Sequence, residues 1–347
     1  MSAQRAGRSA EQEQFAASLH DMLAAADVPG AARQWAGGDP AGGLAVWRKL
    51  AGAGVTALAV PERWGGLGAG PQDVVVACEE LGHHALPGPV AESVAVVPGL
   101  IIGLADDDLS ARWLPGLAAG DLIATVALPP RLPYAADADA AGLVLLADGD
   151  TVWLAEPGAR HRSVDRARSL SDVSGRQVLA SGPVAAGAVG QALQAGALAT
   201  AAQLLGAGRA LLAAAVRHAA LRVQCGRPVG AFQAVKHRLA DVAIGLEFAG
   251  PLLDAAAAAL AAGDPGAARD VSAAKVACTD AARRAARAAL QVHGAVGYTE
   301  EHDLHLWLMK VRALAGTWGS QAEHRARIMA ELTAGRRGGA ADGQPWT

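Results

Sequence analysis

QVHGAVGYT at residues 291–299 is the most informative stretch of this chain when it is combined with RVQCGRP at 222–228 and FQ at 232–233. The two glycines of the first stretch lack a Cβ, so backbone N–H groups there can approach a ligand oxygen closely. The arginine that opens the second stretch supplies a planar fork that suits a pyrophosphate. Alone, each piece is typical of a turn or a solvated charge. Together they indicate a site for a phosphate-bearing cofactor beside long helices.

The order of these segments resembles the C-terminal helical domain of the acyl-CoA dehydrogenase family. The N-terminal half agrees, because VPERWGGLG at 60–68 and EELG at 79–82 are similar to the family's P-E-x-x-G-G-x-G and E-E-L segments. The resemblance covers most of residues 10–333. It implies an α+β, mainly α fold with an N-terminal helical domain, a small middle β-domain and a C-terminal four-helix bundle.

The composition favours a globular protein of two or three domains, or one large helical enzyme. The chain has 347 residues, of which 52% are hydrophobic, and a formal net charge of −3 that gives no field for nucleic acid or an anionic membrane. Cys78, Cys225 and Cys278 have no C-x-x-C spacing, which is typical of a reduced protein. The polar first 14 residues predict no secretory signal. We therefore expect a cytoplasmic protein without membrane insertion or a nucleic-acid partner.

Hydrophobic periodicity predicts three domains and a tail. Helical patterns indicate an N-terminal domain over residues 1–120. Short β-branched or leucine-rich runs predict a β-domain over 121–187. Long helical runs over 188–334 predict an antiparallel four-helix bundle, and residues 335–347 are expected to be disordered.

Two local predictions are more specific. Residues 30–43 are rich in glycine and proline, which predicts an irregular connection between the first two helices. Asp148-Gly149-Asp150 lies between two strand-like runs and predicts a tight hairpin turn.

The resemblance implies FAD as the cofactor, bound between subunits. In the family the flavin ring rests against the β-domain of one subunit, and the pyrophosphate and adenine reach into the helical bundle of the neighbour. The matching positions on the adenine side are Arg222, Gln224, Gln233, Gln291, Gly294 and Ala295, with Ala295 replacing the second glycine of the family's Q-x-x-G-G segment, and Ser320 stands where the family has a threonine that touches the flavin.

The family's catalytic base does not carry over to this chain. In the family a glutamate removes the α-proton of an acyl-CoA thioester while the β-hydride passes to flavin N5. The usual position of that glutamate falls at Trp318, and the alternative position on the first bundle helix falls near Gly196. Neither side chain can accept a proton. The carboxylates nearby in sequence are interpreted as solvent-facing or helix-terminus charges: Glu300, Glu301 and Glu323.

The middle domain departs from the family as well. VALPPR at 126–131 stands where the family has T-E-P-x-x-G-S-D, and the strand pair that normally follows is not recognisable, so we expect an abbreviated β-domain. Some bacterial members, notably those acting on steroid side chains, assemble from two different subunits. The run GTWGSQAEHR at 316–325 is similar to the G-G-P-S-H-R ending of one such subunit.

Three functions remain open. The chain is a partner subunit that lacks its own base and completes a flavin site on a homologous subunit, a stand-alone acyl-CoA dehydrogenase with a displaced base, or a flavin-dependent oxidase or monooxygenase relative. The expected partners are an acyl-CoA substrate and either a homologous subunit or further copies of the chain. His83-His84 and His302-x-x-His305 have the spacing of metal pairs, but no third ligand is recognised near either, so no metal site is expected.

Overall fold

The computed structural model of the protein describes residues 7–338, with side chains as far as residue 334. The chain forms a helical N-terminal part, then a sheet, then a second helical part, which confirms the predicted α+β, mainly α class. The N-terminal helices are α1 (Ala10–Ala24), α2 (Val28–Ala36), α3 (Ala41–Gly52), α4 (Pro71–His83), α5 (Val97–Gly103) and α6 (Asp107–Ala119), with a π-helical turn at Glu92–Val96 directly before α5.

The irregular connection predicted at residues 30–43 is wrong, because α2 occupies most of it. The Asp27 side chain accepts a hydrogen bond from the Gly30 N–H at 2.9 Å, and a proline stands in the first turn. Capping and a buried apolar face outweigh the low helix propensity of the glycine. The buried residues of that face are Val28, Ala31, Ala32 and Trp35.

The middle of the chain forms a five-stranded sheet in the order β1-β3-β4-β5-β2. The strands are β1 (Ala124–Ala127), β2 (Ala135–Ala136), β3 (Leu143–Asp148), β4 (Thr151–Arg162) and β5 (Ser169–Ser181). β1 runs parallel to β3, and the other neighbours are antiparallel. The predicted hairpin turn is confirmed, because Asp148 pairs with Thr151 and Gly149 between them has φ 61°.

Long helices form the second helical part. They are α7 (Pro183–Leu221), α8 (Gln233–Ala261), α9 (Ala267–His293), α10 (Leu304–Leu314) and α11 (Gln321–Gly338). α7 begins inside the segment predicted as the end of the β-domain, and α11 lies beyond the four predicted bundle helices. The disorder predicted from residue 335 is wrong for 335–338, which belong to α11. Residues 339–347 lie outside the described part of the chain.

Two of these helices, α7 and α8, are long and apolar enough to cross a membrane by length and composition alone. The most apolar window of α7 is 72% buried inside the protein, so its apolar character is that of a core helix. The corresponding window of α8 is only 39% buried, which leaves an apolar stripe on its outer face.

Candidate functional site

The two positions to which the sequence resemblance assigns the family's base, Trp318 and Gly196, meet in the structure. Trp318 lies in the loop between α10 and α11, and Gly196 lies in α7. A Cβ built on Gly196 would stand 2.2 Å from Cδ2 of the Trp318 indole, so the ring packs directly on the glycine backbone. Trp318 is 2% exposed and has φ 60°. The two sequence positions therefore lie at one place in the structure, and the Trp318 indole occupies it.

Glu92 is a carboxylate at this place that the sequence analysis missed. It lies on the π-helical turn, is 4% exposed, and its Oε1 accepts a hydrogen bond from Trp318 Nε1 at 3.0 Å. Burial raises the pKa of the neighbouring Cys78 thiol to about 12, and the negative charge of Glu92 adds to the effect. The available signal was one acidic residue inside the apolar run AESVAVV, since buried carboxylates are rare unless they are paired.

The space beside the Trp318 indole is small. The cavity there has a volume of about 10 Å³, roughly that of one water molecule. An acyl thioester or a flavin ring is far larger. The cavity is lined by residues from the turn after β1, from α7, from the loop that carries Trp318 and from α11. These residues are Arg131, Leu193, Trp318, Gly319, Glu323, His324 and Arg327. The cavity beside the Trp318 indole therefore has no room for a flavin ring or an acyl thioester.

The opposite, adenine side of the predicted site lies open at one end of the helical bundle. Arg222 terminates α7 and is followed by a short hairpin of strands β6 (Val223–Gln224) and β7 (Arg227–Pro228). Cys225 and Gly226 form its turn with φ values of 51° and 77°, as a two-residue hairpin turn requires. Residues 221–228 are all exposed, so the guanidinium of Arg222 is free to meet an anion.

The remaining adenine-side positions lie at the same end of the bundle. Gly294 ends α9 with φ 66°, and no atom lies within 4 Å of the position its Cβ would take. The rings of His218, one turn before Arg222, and His293 stack with centroids 4.2 Å apart, which brings the ends of α7 and α9 together. Gln224, Gln233, Gln291 and Ala295 are exposed. Open glycine backbone, amides and a guanidinium form a donor set that suits a pyrophosphate and an adenine.

Ser320 and Glu323 are used by the start of α11. The Ser320 N–H donates to Glu323 Oε2 at 2.7 Å, and the Glu323 N–H donates to Ser320 Oγ at 3.2 Å, which is a capping box. These hydrogen bonds lower the pKa of Glu323. Glu300 forms an exposed ion pair with Arg166, and Glu301 is exposed. The geometry agrees with the interpretation of all three glutamates as helix-terminus or solvent-facing charges.

The sequence analysis was wrong about the surroundings of His83 and His84, because His20 of α1 stands beside them as a third imidazole. Burial lowers the pKa of His83 to about 4 and of His84 to about 3. His302 and His305 instead bond the backbone of their own turn: the Leu304 N–H donates to His302 Nδ1 at 3.1 Å, and His305 Nδ1 contacts the His302 carbonyl at 2.9 Å.

Comparison with known proteins gives consistent matches. Residues 9–121 match the acyl-CoA dehydrogenase N-terminal domain, and residues 186–333 match the acyl-CoA dehydrogenase C-terminal domain. Acyl-CoA dehydrogenase IpdE2 of Mycobacterium tuberculosis is 29% identical over 327 residues, 93% of this chain and 97% of that protein. Acyl-CoA dehydrogenase IpdE2 of Mycolicibacterium smegmatis is 30% identical over 294 residues, 83% of this chain and 88% of that protein.

Solved structures share the fold. Butyryl-CoA dehydrogenase from Megasphaera elsdenii superposes with a TM-score of 0.83 at 19% identity, covering 96% of this chain and 100% of that chain. A chain of the ChsE4-ChsE5 complex from Mycobacterium tuberculosis superposes with a TM-score of 0.80 at 23% identity, covering 94% of this chain and 98% of that chain.

Proposed function

The chain belongs to the acyl-CoA dehydrogenase family, whose members are FAD-dependent oxidoreductases, and from this premise we propose that it is a subunit of a heteromeric acyl-CoA dehydrogenase that supplies no catalytic base of its own. The observation that carries the proposal is the Trp318 indole packed on Gly196. A general base must lie within hydrogen-bond reach of the proton that it removes. An indole at the meeting point of both family positions can neither take that proton nor leave room for the thioester.

In this proposal the chain binds the distal half of FAD for its partner. Arg222 binds the pyrophosphate through its guanidinium, and the backbone N–H groups after Gly294 approach the same phosphates without hindrance from a side chain. Gln224, Gln233, Gln291 and Ala295 border the adenine. Bound FAD would supply the hydride acceptor, and the partner subunit would face its ring and provide the base.

Apolar side chains around the adenine side favour a covering subunit. The exposed fractions are 82% for Leu221, 55% for Val223, 50% for Val296 and 70% for Tyr298. Large exposed apolar groups at one end of a protein are typical of an interaction surface. The ChsE4-ChsE5 structure, which contains a chain of this fold, is a complex. The expected cytoplasmic location, inferred from the sparse cysteines and the polar first 14 residues, belongs to the same proposal.

Glu92 supports one alternative, a stand-alone dehydrogenase with a displaced base. It is a buried carboxylate at the place where the family positions meet, and within residues 7–334 the indole N–H of Trp318 is its one hydrogen-bond donor. If Trp318 were to swing aside, Glu92 would face the space that the ring leaves. Glu92→Gln separates this alternative from the subunit proposal.

The first experiment measures flavin in the chain purified alone with FAD added, by its visible spectrum after gel filtration. We expect little bound flavin and no bleaching by butyryl-CoA. Co-expression with a homologous acyl-CoA dehydrogenase chain that carries the glutamate at the Trp318 position is expected to give a yellow complex that an acyl-CoA bleaches. A lone chain that bleaches with acyl-CoA contradicts the proposal, and one that holds flavin but reacts only with oxygen supports the oxidase alternative instead.

The second experiment uses single-turnover flavin reduction in the purified complex. Trp318→Glu in this chain is expected to add no second reducible flavin, because in this proposal the chain holds only the distal half of FAD and presents no flavin ring to the new carboxylate, and a base acts only within hydrogen-bond reach of the proton that it removes. Glu92→Gln is expected to leave the rate within a few-fold of wild type, as is Glu301→Gln, the matched control at an exposed position. A fall of about 10²–10⁴-fold for Glu92→Gln alone, as expected for loss of a general base, would show that the chain is catalytic in its own right.

A further inference from the structure

Three imidazoles converge in a cluster that the proposed flavin role does not use. His20 lies on α1, His83 is the last residue of α4, and His84 follows it directly. One ring nitrogen from each residue lies within 4.8 Å of those of the other two. The ring centroids are 4.8 to 5.1 Å apart. The cluster is not recognisable from spacing in the sequence, because more than 60 residues separate His20 from His83 and His84.

Two of the donor distances are close to those around a tetrahedral metal ion, and the ligand atoms of the three histidines all lie within 4.8 Å of one another. His84 Nε2 lies 3.2 Å from His20 Nδ1, and Glu80 Oε2 lies 3.0 Å from the same nitrogen. Zinc–nitrogen bonds of about 2.0–2.1 Å place tetrahedral donors about 3.3 Å apart. With Glu80 ionised, one proton on His20 Nδ1 must serve both contacts, because a ring nitrogen carries at most one proton. A cation between these atoms would satisfy all of their lone pairs.

The surroundings hold the cluster in place and leave it accessible. Trp307 Nε1 donates to the His83 carbonyl at 2.7 Å, which anchors the end of α4 to α10. The His20 side chain is 44% exposed and that of Glu80 is 17% exposed. The three rings line a cavity of about 340 Å³ together with Arg217, His302 and Trp307. Catalytic and exchangeable metal sites keep an open coordination position of this kind.

We propose that His20, His83 and His84, with Glu80 as the anionic partner, bind a divalent transition metal of the zinc class, with one coordination position open to the cavity. Imidazole nitrogens favour zinc, copper, nickel and iron over calcium and magnesium, which take oxygen ligands. Arg217 on the cavity wall suits a small anion as the remaining ligand. The metal joins α1 to α4, and the site is independent of the proposed flavin role.

The test is titration of the tag-free full chain, first treated with a chelator, with Zn²⁺ by calorimetry and with Co²⁺ by visible absorption. We expect one saturable site per chain and the visible bands of a low-symmetry Co²⁺ complex. His84→Ala and His20→Gln are expected to abolish both. His161→Ala is the matched control, because His161 is exposed in β4, where its Nε2 lies 3.0 Å from Asp172 Oδ1 and its ring contacts Tyr134. It should bind metal like wild type.

His20→Gln guards against a folding artefact, because the side chain is nearly half exposed and its loss should leave the metal-free melting temperature unchanged. Zn²⁺ should raise the melting temperature of wild type and not that of His20→Gln, since a ligand stabilises only the state that binds it. Glu80→Gln should weaken Zn²⁺ binding by about 10–100-fold, as loss of a ligand-orienting carboxylate does. Absence of a one-to-one site in wild type, or equal binding by His20→Gln, overturns the proposal.

Discussion

At the scale of single residues, Trp318 and Gly196 act as one unit. The indole occupies the volume that any side chain at position 196 would need, so a larger residue there would displace the ring. The indole N–H in turn supplies the hydrogen bond that buried Glu92 needs. A glutamate-to-tryptophan replacement at one position is therefore matched by the absence of a side chain at the other, and both differences favour a closed pocket over a reactive one.

Arg222 carries the charge of the proposed phosphate contact. Arg222→Lys replaces a bidentate fork by a point charge, so we expect flavin retention in the assembled complex to weaken by roughly 1–3 kcal/mol. The measurement is flavin content after gel filtration, with FAD affinity by fluorescence. Arg176→Lys is the control, because Arg176 forms an exposed ion pair with Glu156 on the sheet. Equal flavin affinity in both variants would return Arg222 to the status of a surface charge.

Lys275 is a buried cation whose protonation opposes folding. It is 1% exposed, and its Nζ donates to the Leu314 carbonyl at 3.0 Å. Burial lowers its pKa to about 7, against an ordinary value of about 10.4. Between these two pH values the unfolded chain binds more protons at Lys275 than the folded chain does. This residue therefore makes the free energy of unfolding rise with pH across that window.

Lys275→Met removes the titrating group while keeping most of its volume. We expect the variant's free energy of unfolding, relative to wild type, to be highest near pH 7 and to fall toward pH 9 by up to about 1.4 kcal/mol per pH unit. Denaturant titrations at several pH values provide the measurement. Lys49→Met, at an exposed position of α3, should show no such trend. A pH-independent difference for Lys275→Met would contradict a lowered pKa.

At the scale of elements, local patterns predicted the helices and strands wherever the chemistry was local. The β3–β4 hairpin turns at Gly149, as the sequence indicated. The outer halves of β4 and β5 are not recognisable as strands in the sequence, because they carry many exposed, polar residues without apolar alternation. The α2 helix was missed because its glycine and proline lie in a capped first turn, where they are tolerated.

The candidate sites show the same division. The adenine-side segments were recognisable because each is a short local motif. Contacts between distant segments were not: His20 meets His84 and Glu92 meets Trp318 only after α1, α4, the π-helical turn and the α10–α11 loop have packed. No spacing along the chain encodes such a contact.

The crossing of α4 and α7 depends on two glycines. A Cβ on Gly206 would lie 1.9 Å from the Glu79 carbonyl oxygen, and one on Gly82 would lie 2.1 Å from that of Gln203. The two backbones thus approach too closely for any side chain, and the approach buries Glu79 between Arg8 and Arg209.

Gly206→Ala should therefore destabilise the protein by about 1–3 kcal/mol or more, the cost of overpacking against a rigid backbone. Gly187→Ala, in the same helix with no atom within 4 Å, should stabilise it by about 0.5–1 kcal/mol through helix propensity. Chemical denaturation compares the two variants. Equal stabilities would mean that α4 and α7 can move apart without a loss in the free energy of unfolding. The buried ion pairs of Glu79 with Arg8 and Arg209 argue against such a movement.

At the scale of the whole molecule, the apolar outer face of α8 requires an explanation. Ile244, Phe248 and Leu252 are 54%, 75% and 45% exposed and follow one another at four-residue spacing, so they form a stripe along one face. Packed against another subunit, these three side chains would be buried in the way that the apolar residues of the bundle core are. We expect a second subunit to cover this stripe, which would account for the apolar composition of α8.

Phe248→Asp should therefore dissociate the assembly. We expect the wild-type chain to form an oligomer through its bundle helices, with an interface larger than the ~1,600 Å² of standard complexes. A carboxylate at the centre of the α8 stripe would be buried without a partner in that interface, which is strongly unfavourable. Mass measured by light scattering at micromolar concentration should fall to that of smaller species.

Val164→Asp, at a 43% exposed position between β4 and β5, should leave the mass unchanged. A monomeric wild-type chain that stays in solution without any partner would contradict the proposed interface. It would also contradict the shared flavin site, because no second subunit would then complete the half of the site that this chain provides.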